Sequence, residues 1–125
     1  MNLDKVIAGF FIILAMTLNF GFFYGDSSDM HMHSKYELFA AIIVNIIATV
    51  LKLGDKTQMG SVLIATSLVA DLQLIAAATI WTIFGINGEI SPEIGGLIIS
   101  LSGGALLANI TSVILYIGDT LKSKR

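Results

Sequence analysis

Cysteine is absent from the 125-residue chain, which rules out a disulfide framework and any thiolate metal centre. Proline occurs once, at Pro92, so long helices can run without the break imposed by a locked φ and a missing N–H. Charged residues make up 13% of the chain, against ~25% in ordinary soluble domains. Only two histidines are present, His31 and His33, and they fall together in one short stretch with no nucleophile placed to need them. No Ser/His/acid or Cys/His set, phosphate-binding loop or zinc-helix motif occurs, so an enzyme is not expected. No basic run interleaved with aromatics points to nucleic acid.

Four long apolar stretches fill the space these absences leave. The chain is 55% apolar, above the ~45–50% of soluble domains. A spanning helix needs ~20 mostly apolar residues, and the hydropathy pattern predicts spans at about Lys5–Tyr24, Glu37–Leu53, Gly60–Phe84 and Ile94–Ile117. The second is short and reaches the lower limit of ~17 residues with Tyr36 and Lys52 at the interfaces. A soluble bundle would carry stripes of Lys and Glu facing water, and none of the four segments does. The expected fold is all-α, a single polytopic domain of four transmembrane helices over residues 1–125. The bulky, aromatic end of the first span, Gly21-Phe22-Phe23-Tyr24-Gly25-Asp26, is unlike a signal-peptide cleavage site.

Charge sorts by side. Lys5, Lys52, Lys56, Lys122, Lys124 and Arg125 share the side of both termini and the middle loop, and Lys35 alone lies opposite. The positive-inside rule then predicts an inner (plasma) membrane protein with both termini cytoplasmic. The outer loops carry Asp26, Asp29, Glu37, Glu89 and Glu93, giving an acidic outer vestibule.

The second and fourth segments align at an offset of 64 residues, with identities Ala41/Ala105, Asn45/Asn109, Ile46/Ile110, Leu51/Leu115, Gly54/Gly118 and Asp55/Asp119. The outer ends of the first and third agree more weakly, Thr17…Gly21…Gly25-Asp26 against Thr82…Gly85…Gly88-Glu89. Two tandem hairpins, about residues 4–55 and 60–119 with a tail at 120–125, would therefore be related by a parallel internal repeat.

Helical spacing gathers polar residues onto narrow faces: Ala41, Asn45, Ala48 and Lys52 on the second span, and Ala105, Asn109, Ser112 and Tyr116 on the fourth. Gly60, Ser67, Asp71, Ala78 and Thr82 form a stripe on the third, and Ala8, Ala15 and Asn19 on the first. Small residues of this kind serve helix packing. Asp71 stands apart. It lies ~16 Å from the start of its span at 1.5 Å per residue, where an ionised carboxylate costs ~2.5–3.5 kcal/mol on insertion scales. Asn45 and Asn109 are its expected hydrogen-bond partners, with Lys52 remote at the helix end. An ion or proton pathway through Asp71, Asn45, Asn109, Asn19, Ser67 and Thr82 follows, with a monovalent or divalent cation as possible bound species and no required cofactor.

The first outer loop, Asp26-Ser-Ser-Asp-Met-His-Met-His-Ser-Lys35, offers Met30, His31, Met32 and His33 as metal ligands. Imidazole with thioether favours copper, and imidazole with carboxylate suits zinc or nickel. Phe22-Phe-Tyr-Gly-Asp26 is similar to a potassium-channel filter but lacks its Gly-Tyr-Gly. Four packed helices leave a side-chain-filled core, so conduction is expected between subunits of a homo-oligomer in the bilayer. The alternatives are an accessory or scaffold subunit of a larger membrane protein and an external metal or pH sensor.

Overall fold

The computed structural model describes residues 2–25, 33–54 and 57–123. They form four helices: α1 (Leu3–Phe23), α2 (Lys35–Lys52), α3 (Gln58–Phe84) and α4 (Pro92–Ser123). Each start is capped by a side-chain oxygen that takes an otherwise orphaned N–H. Asn2 accepts from Asp4 and Lys5, Ser34 from Glu37, Thr57 from Gly60, and Ser91 from Ile94. Pro92 opens α4, where its missing N–H costs nothing. These caps lie a few residues outside the hydropathy limits, which is why all four helices begin two residues earlier than hydropathy alone predicts. Three helices, α1, α3 and α4, are long and apolar enough to cross a membrane, with mean hydropathies of 2.2, 1.8 and 1.9. α2 has 18 residues and carries Lys35, Glu37 and Lys52.

The helices alternate in direction, and each packs against two neighbours: α1 against α2 and α4, α3 against α2 and α4. The start of α1 and the end of α4 lie at one end of the bundle, where the Tyr116 hydroxyl of α4 donates to the Lys5 carbonyl of α1 at 2.6 Å. We refer to this as the termini end, and to the other as the far end.

Burial follows alternating steps of three and four residues in every helix. The inward positions are Ile12, Ala15, Asn19 and Phe22 on α1, and Leu38, Ala41, Asn45, Ala48 and Lys52 on α2. On α3 they are Gly60, Leu63, Ser67, Ala70, Leu74, Ala77 and Trp81. On α4 Gly95, Ile98, Ser102, Ala105, Asn109 and Ser112 continue the pattern. This 3.5-residue repeat is that of left-handed bundles. It also corrects the stripe expected on α3. Gly60, Ser67, Asp71, Ala78 and Thr82 advance at an 11-residue period, which rotates away from a 3.5-residue seam. Ser67 and Asp71 are buried, Ala78 is half-buried, and Thr82 emerges on the outside.

Two apolar clusters fill the core. The larger, at the far end, contains Phe22, Leu38, Leu74, Trp81 and Ile98, and the smaller joins Ile12, Ala48 and Val113. On α1, α2 and α4 the residues between the clusters include asparagines: Asn19, Asn45 and Asn109, all buried. Small residues set the contact distances. Gly103 lies so close to Phe23 that an added Cβ would stand 2.8 Å from Cε1.

Gly85 ends α3, and its N–H bonds the Trp81 carbonyl at 2.8 Å. A Cβ at Gly85 would sit 2.6 Å from that same backbone oxygen, so the helix end must shift to admit one. Gly85→Ala is expected to cost about 1–3 kcal/mol, the usual range for forced overpacking, read as a lower midpoint of thermal unfolding in detergent.

Candidate functional site

The only carboxylate buried among the described residues is Asp71, on α3, and it is 9% exposed. Its Oδ2 accepts the Thr49 hydroxyl of α2 at 2.7 Å, while its Oδ1 is buried without a hydrogen-bond partner. Thr49 Oγ1 also lies 2.9 Å from the Asn45 carbonyl, one turn back on its own helix. A hydroxyl carries one proton, so Thr49 stands between two acceptors and can serve each in turn.

Lys52 completes the cluster. Its ammonium donates to Ser67 Oγ of α3 and to Ser112 Oγ of α4 at 2.7 Å, and its charge interacts with that of Asp71. Sequence reasoning put Lys52 at the interface, remote from Asp71; the structure places it 6% exposed beside Ser67, nine residues into α3 and therefore about 13 Å along it. The cause is helix geometry. Side chains lean toward the N-terminus of their helix, and α2 starts at the far end. A lysine in its last turn therefore points back into the bundle instead of reaching out to water. Serines on α3 and α4 then replace the water it gives up.

The asparagines do not bond Asp71 as expected. Asn45 Nδ2 donates to the Ala41 carbonyl of its own helix at 2.7 Å. Asn109 Nδ2 donates to Asn19 Oδ1 at 3.0 Å, and Asn19 Nδ2 to the Ser102 carbonyl at 2.9 Å. These form a second network, tying α1 to α4. Along the bundle from the far end, the core thus carries the Ser102–Asn19–Asn109 chain, then Asp71 with Thr49, then Lys52 with its serines. Thr82 belongs to neither network, because its hydroxyl is exposed and bonds the Ala78 carbonyl at 2.9 Å. Thr49 and Ser102 were missed. Thr49 follows Asn45 by one turn and Ser102 precedes Asn109 by two, so extending each asparagine face by single turns would have found them.

Of the expected outer vestibule, Glu89 and Glu93 are exposed, on the α3–α4 connection and the first turn of α4. Asp26, Asp29, Met30, His31 and Met32 lie outside the described residues. His33 is packed inside the bundle, against α1. It is 5% exposed, and its Nδ1 stands 2.6 Å from the Phe22 carbonyl. Because that carbonyl only accepts, Nδ1 carries the proton and the lone pair stays on Nε2. Among the described residues no group of three or more His, Asp or Glu side chains is arranged to hold a metal.

The long apolar helices and the ionisable groups held inside them define a helical-bundle membrane protein. The chain belongs to a family of unknown function, DUF6394, which matches residues 32–120. That stretch includes every member of the Asp71–Lys52 cluster, whereas Asn19 on α1 precedes it. No curated protein and no solved structure matches the chain.

Proposed function

We propose that the protein is a small multi-pass protein of the inner membrane that moves protons or a proton-coupled cation, with Asp71 as the group that takes and gives the proton. The observation that carries this reading is the Asp71 carboxylate: buried in a membrane bundle, with one oxygen unpartnered and the other on a hydroxyl that has a second acceptor in reach. An ionisable group inside a membrane bundle is costly and is by default a candidate for an ion or proton route. The nearby Lys52 ammonium favours the proton over a dehydrated metal ion, since it already supplies the positive charge that such an ion would bring.

In this reading α2 also crosses the bilayer, both termini are cytoplasmic by the distribution of Lys and Arg, and the two hairpins are tandem copies. The inward faces of α2 and α4 support the last point. Ala41 and Ala105, Asn45 and Asn109, and Ala48 and Ser112 are buried pairs at the 64-residue offset. The packed core favours a homo-oligomer whose pathway runs beside Asp71 at a subunit boundary.

The test is reconstitution. Purified protein in liposomes holding a pH-sensitive dye, under an imposed potential, should acidify or alkalinise the lumen well above empty vesicles. Leakage no greater than that of empty vesicles ends this reading. A second reading, an accessory subunit that grips a larger membrane protein, draws on α4, where a Cβ at Gly96 or Gly118 would meet nothing within 4 Å. It predicts no intrinsic flux and stable copurification of that partner.

A further inference from the structure

At the far end of the bundle a groove runs between α2 and α3. Its upper part, about 280 Å³, is lined by Lys35, Leu38, Phe39, Trp81, Thr82 and Gly85. The part below it, about 350 Å³, shares Phe39, Ala78 and Thr82 and continues past Ile42, Ile75 and Ile83. Ile75 lies ten residues from Gly85, so the groove extends about 15 Å along α3. Its walls are apolar and turned outward, with Phe39 51%, Ile75 44% and Ile83 56% exposed. Its mouth is cationic, because Lys35 Nζ lies 5.4 Å from the centre of the Trp81 ring in the first turn of α2, where the helix dipole adds positive character. The neighbouring Glu37 leans the other way, against Gly21 of α1.

We propose that this groove binds one anionic phospholipid, with its phosphate at Lys35 and the start of α2 and an acyl chain along Phe39, Ala78 and Ile75. A long apolar trough opening toward the lipid phase, closed at the interface by a single cation on an aromatic ring, has the shape and charge of such a molecule. Selectivity must come from direct contact. Lys35 is the only Lys or Arg on a side whose sequence also carries Asp26, Asp29, Glu37, Glu89 and Glu93, so the long-range field there does not concentrate anions.

Trp81 is the chain's single tryptophan, and it forms part of the groove wall, which makes it a local reporter. Trp81 fluorescence would be measured in bilayers containing phosphatidylglycerol or phosphatidylcholine with identically brominated chains, at equal mole fraction. The expected result is tighter binding of the anionic lipid by about fivefold, the effect of one lysine near an anionic headgroup. Lys35→Gln should erase that preference while leaving quenching by phosphatidylcholine intact, and Lys35→Arg should retain it. Equal quenching by both lipids in the unaltered protein overturns the proposal. So does a preference that survives in Lys35→Gln, or one that inorganic phosphate competes away, which would mark an anion site without a lipid.

Discussion

Asp71→Asn is expected to reduce proton flux in liposomes by about a hundredfold or more, the lower range for removing a positioned proton-transfer group. Asparagine keeps the volume and can still bond Thr49, but it cannot take up and release a proton at physiological pH. The same substitution also strips Lys52 of its counter-charge. Lys52 is held by Ser67 and Ser112, so the cost is that of a desolvated ammonium losing a nearby opposite charge, read as a lower unfolding midpoint. Loss of flux in the single variant therefore has two explanations, and Lys52→Met separates them. Alone it should destabilise by a similar amount, leaving Asp71 uncompensated. Combined with Asp71→Asn it should restore most of the unfolding midpoint in detergent, since the interior is then neutral. Flux in the double variant should stay lost. A stable double variant that still moves protons would remove Asp71 from the pathway, and one that still copurifies a larger partner would favour the accessory role.

Four helices and the burial of Asp71, Asn19, Asn45 and Asn109 were legible in the sequence, because hydropathy and helical spacing are local properties. The pairing of those residues was not. Asn45 reached its own Ala41 carbonyl and Asn109 reached Asn19 because side-chain partners depend on helix rotation, which spacing within one helix does not specify. Thr82 left its expected stripe for a related reason: a stripe drawn at 3.67 residues per turn and one at 3.5 coincide near Ser67 and have separated by the far end. Lys52 departs furthest from its place in the sequence. Counting residues placed its Cα at a helix end, but the lean of side chains toward the helix N-terminus carries the ammonium inward. The polar loop sequence likewise gave no hint that the His33 ring would lodge against Phe22.

The placement of Lys52 bears directly on whether α2 crosses the membrane. Its 18 residues span about 27 Å at 1.5 Å each, close to the ~30 Å hydrocarbon core. Hydropathy counts Lys52 against crossing, yet its charge faces Ser67, Ser112 and Asp71 and not lipid, so the full cost of a lysine in hydrocarbon does not apply. The face α2 turns outward is apolar, with Phe39, Ile43, Ile46 and Val50 all exposed. A chain without cysteine allows this to be tested by single substitutions and a membrane-impermeant maleimide. Tyr36→Cys and Glu89→Cys should react in intact cells, whereas Gly54→Cys and Leu121→Cys should react only after permeabilisation, an all-or-none difference at each site. If α2 lay along one surface, Gly54→Cys would instead label together with Tyr36→Cys. The short connection to α3 would then begin on the outside, and Lys52 would have water within reach and no physical reason to turn inward.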